Sequence, residues 1–228
     1  MSAETSPELT DPRDRLTYHF DYTPFRRVLT STVQTLFHLI AIIDASGVEH
    51  LPKEGPVVLA ANHVTNFDVF PMQFSLPRPI FFMAKAELHR NPILDVALRQ
   101  MGSFPVERGA RDEWALRHAQ KVLEHRQMLG IFPEGKRNMG RGLRPAKTGA
   151  ARLALSVNCP IVPLAVEGTQ RMFQRFPRRT LVHVTVGEPI FPQHGDTALS
   201  LTDQMMFSLA ELLPPEQRGV YAQHPTGF

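Results

Sequence analysis

Among 228 residues the chain has a single cysteine, Cys159, which excludes an intramolecular disulfide and any metal centre built from several thiolates. Beside Pro160, at the entrance of a strand-like run, it reads as a small buried apolar residue. No Gly-x-Ser-x-Gly sequence occurs, so the seryl nucleophile of the α/β hydrolases is missing. Internal repeats and low-complexity tracts are also missing. The opening residues are acidic and polar, and Pro7 and Pro12 break any early apolar run, so no secretory signal is read and the reducing cytosol is the expected setting. A nucleotide phosphate loop is approached but not completed. Gly130 and Gly135-Lys136 have its spacing, yet Arg137 stands where the magnesium-binding hydroxyl is needed, and Pro133 and Glu134 spoil the backbone cradle. Nucleoside triphosphate hydrolysis is excluded on that ground. The formal net charge is only +3, and the arginine groups at 137–147 and 171–179 carry few interleaved aromatics beyond Phe173 and Phe176. No nucleic-acid partner is therefore expected.

What is present is a length and apolar content sufficient for one sizeable core. Residues 1–20 read as a flexible leader. Phe25 to Ile43 is mostly apolar at three- and four-residue steps, which predicts an amphipathic helix within 21–44. Arg26, Arg27, Gln34 and His38 interrupt it, so it is expected to lie on a membrane surface or to cover the core, not to cross a bilayer. Strand-like runs follow at Val57 to Ala61, Ile80 to Ala84, Ser103 to Val106, Leu129 to Phe132, Ile161 to Val166 and Leu181 to Val186. Helical patterns at Asp68 to Ser75, Pro92 to Met101, Asp112 to Arg126 and Thr148 to Val157 separate them, and a last one runs from Thr202 to Leu213. This alternation predicts a single α/β layered domain over 45–213, with a largely parallel or mixed central sheet flanked by helices and a tail at 214–228.

Two strand ends carry chemistry. The apolar run Val57-Val58-Leu59-Ala60 leads into Asn62-His63-Val64-Thr65-Asn66-Phe67-Asp68, and the ends of buried strands are where α/β proteins place reactive groups. A neutral imidazole can take a proton from a hydroxyl, and a carboxylate can fix its tautomer. In an ideal helix two residues five apart point about 140° away from each other, so His63 and Asp68 can meet only if a turn separates them. The alternative is a strand-end histidine and an unrelated helix cap at Asp68. The second strand end is Gly130-Ile131-Phe132-Pro133-Glu134-Gly135-Lys136-Arg137-Asn138. The remaining histidines, His38, His118 and His183 among them, have no partner at a meaningful spacing.

With these residues the chain resembles the glycerol-phosphate acyltransferases, and within them the 1-acylglycerol-3-phosphate acyltransferases. The family's histidine, four residues and aspartate match His63 and Asp68. Its second block is similar to Gly102-Ser103-Phe104-Pro105-Val106-Glu107-Arg108, its third to Phe132-Pro133-Glu134-Gly135-Lys136-Arg137, and its fourth to Ile161-Val162-Pro163-Leu164-Ala165. The likeness also takes in residues 47–52, 84–88 and Lys147-Thr148-Gly149. Lys136 and Asn138 depart from the usual threonine and serine, which bears on acceptor preference. The resemblance implies transfer of a fatty acyl group from acyl-CoA or acyl-ACP to the free hydroxyl of a lysophospholipid, 1-acylglycerol 3-phosphate, giving phosphatidic acid. Glycerol 3-phosphate, another lysophospholipid or an amino-acid lipid are alternative acceptors, and a non-catalytic lipid-binding protein is an alternative function. The resemblance implies His63 as base, Asp68 as its orienting acid, and Arg108 and Arg137 on the acceptor phosphate, while Lys85, after a strand-like run, would add positive charge near that phosphate or the thioester oxygen. Glu134 would anchor Arg137 or accept from the acceptor hydroxyl, and Gly135 would let backbone approach the substrate. No metal or cofactor is implied, and the expected location is the cytoplasmic face of a membrane.

Overall fold

The computed structural model describes residues 17–107, 112–174 and 176–223. Seven strands, β1 (Ala41–Ser46), β2 (Val57–Ala61), β3 (Ile80–Lys85), β4 (Ser103–Val106), β5 (Met128–Ile131), β6 (Ile161–Glu167) and β7 (Thr180–Val186), form one sheet. Its order is β1-β7-β6-β2-β5-β3-β4. The five strands from β6 to β4 are mutually parallel, whereas β7 is antiparallel to β6 and β1 runs with β7. The expected mixed, largely parallel sheet is what forms.

Successive strand side chains point to opposite faces, and β2 shows why both faces are closed. Val58 and Ala60 join the layer that packs on α4 (Glu113–Glu124), α5 (Gly149–Val157) and α6 (Ala198–Glu211), through residues such as Leu123, Ala151 and Met205. Val57, Leu59 and Ala61 join the other layer, with Phe37 of α1 (Pro24–Ile40) and Met72 of α2 (Val69–Ser75). A strand buried on both sides must be apolar throughout, as β2 is. Helix α3 (Pro92–Gln100) starts on a proline, with the Asn91 side chain accepting from the amides of Ile93 and Leu94.

Several expected boundaries shift. Helix α1 stops at Ile40, because Ala41 is fully buried and pairs with Thr180, and the next residues, including Ile42 and Ile43, continue as β1 beside β7. Helical spacing cannot reveal this, since the partner strand lies 139 positions away. Helix α6 begins at Ala198, four residues earlier than its apolar pattern indicates, because Thr197 and Ser200 form a reciprocal capping box. Two residues of the expected leader are packed: Tyr18 stacks on His125, and Phe20 lies tilted against Phe81. The expected tail also folds back, where Tyr221 Oη accepts from the Ala146 amide and Val220 donates to the Leu143 carbonyl.

Candidate active site

The carboxyl ends of β2, β5, β3 and β6 open on one edge of the sheet, and the polar turns that follow them meet there. His63 sits two residues beyond β2, in a turn that brings its Nδ1 within 2.9 Å of Asp68 Oδ2. Asp68 is fully buried. It precedes α2 but does not cap it. Its Oδ2 accepts instead from the amides of Val64 at 2.7 Å and Thr65 at 2.9 Å. Oδ1 accepts from the hydroxyls of Thr65 at 3.3 Å and Thr169 at 2.6 Å. An ionised carboxylate only accepts, so His63 donates from Nδ1 and presents Nε2 as the acceptor. That Nε2 has no hydrogen-bond partner among the described residues and is not sealed from solvent. The ring lies flat on Phe132, with centroids 4.1 Å apart. An imidazole so fixed can take a proton at one defined atom, and the carboxylate behind it stabilises the cation that results.

The β5 turn supports this geometry from below. Glu134 Oε1 accepts from the His63 amide at 2.8 Å and Oε2 from the Arg144 amide at 3.0 Å, while Asn138 Nδ2 donates to both oxygens. The Asn138 amide returns a 2.7 Å bond to the His63 carbonyl. Glu134 thus clamps the histidine turn. Its oxygens are taken by those donors, and no hydrogen bond links it to the Arg137 side chain among the described residues. Burial pushes its carboxyl above the ordinary value, against the pull of the His63, Arg144 and Asn138 donors. Gly135 adopts φ +67°, the left-handed region in which a side chain is strained.

The cations differ in availability. Arg137 is exposed, and no hydrogen bond or ion pair engages its guanidinium among the described residues. Lys85 ends β3 on the same edge but is ion-paired to Glu87 at 3.0 Å. Arg108 lies outside the described residues.

Sequence reasoning missed three supports. Thr169, just beyond β6, carries no local signal, since its partner Asp68 is 101 positions away. Asn62 fastens β2 to β6 by donating to the Val166 carbonyl at 2.8 Å and accepting its amide at 2.7 Å. Asn138 was visible only as a departure from the usual serine, and its buried bonds to Glu134 explain the amide.

The acyltransferase family model matches residues 42–167, a span that holds every strand-end residue named above except Thr169. A 1-acyl-sn-glycerol-3-phosphate acyltransferase of Borreliella burgdorferi is 31% identical over 133 residues, 58% of this chain and 53% of that protein. One of Bacillus subtilis is 31% identical over 143 residues, 62% of this chain and 70% of that protein. Several curated relatives are matched over only about half their length. Among solved structures, the 1-acyl-sn-glycerophosphate acyltransferase PlsC of Thermotoga maritima superposes with TM-score 0.67 at 22% identity, covering 88% of this chain and 81% of that one.

Proposed function

Because the chain belongs to the acyltransferase family, we propose that it transfers a fatty acyl group from a thioester to the free hydroxyl of 1-acylglycerol 3-phosphate, forming phosphatidic acid. The observation that carries this reading is a His63 Nε2 without a partner among the described residues, backed by a fully buried Asp68 at the same sheet edge as Arg137, whose guanidinium is likewise unengaged among them. An alcohol is a poor nucleophile at neutral pH. Nε2 takes the hydroxyl proton as the oxygen attacks the thioester carbonyl, the new ester C–O bond forms, and the C–S bond breaks as Nε2 returns the proton to the departing sulfur, releasing the thiol of coenzyme A or acyl carrier protein. No acyl-enzyme is needed. Arg137 holds the acceptor phosphate through its planar fork, with Lys85 and Arg108 as further cations. The names of the curated relatives support the choice of acceptor.

The same reading places the protein at a membrane surface, since both substrates carry long acyl chains. Helix α1 supports it. At 3.6 residues per turn, Phe25, Val28, Leu36 and Leu39 fall within about 80° of arc, and all four are exposed. Phe37, in contrast, is 5% exposed and packs on Phe70 and Phe74, so the docking stripe is the outer one. No helix among the described residues is long and apolar enough to cross a bilayer, and an interfacial helix suits that pattern.

The test is release of thiol from a long-chain acyl-CoA, with 1-acylglycerol 3-phosphate and glycerol 3-phosphate as competing acceptors. Folded His63→Ala is expected to lose about two to four powers of ten in turnover. Near-normal turnover in that variant refutes the base assignment, and preference for glycerol 3-phosphate refutes the acceptor.

A further inference from the structure

The opposite edge of the sheet holds a polar cavity, of about 240 Å³, between residues 17–23, the start of α1, the start of β3 and the end of α3. Arg26 enters it from α1 and is only 7% exposed. Its neighbour Arg27 faces solvent. The Arg26 guanidinium lies 3.9 Å over the Phe20 ring and 5.7 Å from that of Tyr22, but no oxygen accepts a hydrogen bond from it among the described residues.

A guanidinium stays charged in proteins and carries five donors, and burying such a group without acceptors is costly. Burial pushes this one below the ordinary arginine range, against the pull of Tyr22 and Asp21. The carboxylate that also lines the cavity, Asp21, is engaged by His19 Nε2 at 3.1 Å instead. From the other wall comes Arg99. Its Nε is held by Asp95 at 2.8 and 2.9 Å, while its Nη1 is buried with no partner. Two guanidinium groups with unused donors therefore line one small cavity. Phe20, which supports Arg26, is seated by the backbone: Gly102 has φ +83°, and a Cβ there would stand 2.6 Å from the Phe20 ring and 2.5 Å from the Ile80 carbonyl oxygen. The cavity is thus built by β3, α3 and α1 together.

We propose that this cavity is a binding site for a phosphate group, held by Arg26 and Arg99 on the side of the sheet away from His63. A phosphate has the oxygens that the unused Arg26 fork requires, with the outer amino groups of Arg99 beside it, and planar arginine donors match it in bidentate fashion. The group has two possible sources, free phosphate or the headgroup of an anionic phospholipid, because Arg26 sits at the start of the helix whose outer stripe is apolar. The site is independent of the transfer reaction and stands or falls without it.

The experiment uses the full chain in an Arg137→Ala background, which weakens the acceptor-phosphate site. Inorganic phosphate is titrated at constant ionic strength while the thermal midpoint is followed, and in parallel the protein is co-sedimented with vesicles of phosphatidylcholine containing phosphatidylglycerol. If free phosphate is the ligand, the midpoint rises with phosphate, and Arg26→Met weakens the apparent affinity by about 10- to 100-fold, the factor that a charge-assisted hydrogen bond is worth. If the headgroup is the ligand, vesicle binding falls in Arg26→Met and holds in Arg27→Met, which removes the same charge from the surface. Arg26→Lys keeps the charge without the fork and is expected to fall between, which separates ligand loss from misfolding. A phosphate response unchanged by either Arg26 substitution, together with vesicle binding equal in the two methionine variants, overturns the proposal.

Discussion

Replacing Thr169 by valine removes one hydroxyl from the support of Asp68 and keeps the branched shape. The lost bond is the 2.6 Å contact to Oδ1 of a carboxylate with no solvent exposure, made by a side chain that is itself 2% exposed. A hydrogen bond to a charged acceptor is worth about 1.5–3 kcal/mol. Oδ1 retains only the longer 3.3 Å donor from Thr65, so compensation is small and the estimate stands. For a chain of this size that corresponds to a fall in the thermal midpoint of roughly 3 to 12 °C. The effect on turnover is expected to be smaller, because the bond that sets the His63 tautomer goes to Oδ2, which keeps its two amide donors. A loss in kcat of less than about tenfold follows, well short of the loss expected for a missing base. Urea melts and initial rates on the same preparation provide the assay. Unchanged stability would show that the Thr169 bond does not carry weight, and a kcat as low as that of His63→Ala would mean that Thr169 acts on the reaction directly.

Glu134→Gln turns an acceptor-only group into one whose NH2 faces amide donors, at a cost of about 1–3 kcal/mol for each donor left unpaired. Because the folded carboxyl titrates above its ordinary value of 4.5, the folded state binds more protons than the unfolded chain in the window just above that value, so stability is lost there as pH rises. Urea midpoints should show the advantage of wild type over the glutamine variant shrinking with rising pH, and a growing advantage counts against the desolvation argument. Arg137→Ala should raise the KM for the lysophospholipid by about 10- to 100-fold while leaving the KM for the thioester unchanged. Equal changes in both would mean that Arg137 is not an acceptor ligand. Changing Phe25, Val28, Leu36 and Leu39 together to serine should release the protein from anionic vesicles without lowering its thermal midpoint, whereas Phe37→Ser should lower the midpoint. Vesicle co-sedimentation and a melt of each variant distinguish the two faces of α1.

Local pattern was enough for the alternating elements and for the sheet edge that carries the site. The double-sided burial of β2 reads directly as Val57-Val58-Leu59-Ala60-Ala61, and the turns after β2 and β5 read as polar clusters closing apolar runs. His63, Asp68 and Glu134 were therefore legible as one constellation, since each lies within seven residues of a strand end. The roles within it were less so. Glu134 reads as a group for arginine or substrate until the fold delivers the amides of His63 and Arg144 to its two oxygens, contacts 71 and 10 positions distant. Thr169 and Asn62 act across β2 and β6, and nothing local marks which residues two strands will bring together. Helix α1 shows the same division. Its period announces an amphipathic helix, but only packing against α2 decides that Phe37 turns inward and Leu36 outward, and only pairing with β7 ends it at Ile40. Arg26 and Arg27 are adjacent and identical in the sequence. The tertiary structure separates them, because one helical step of about 100° carries the first over Phe20 and the second into solvent.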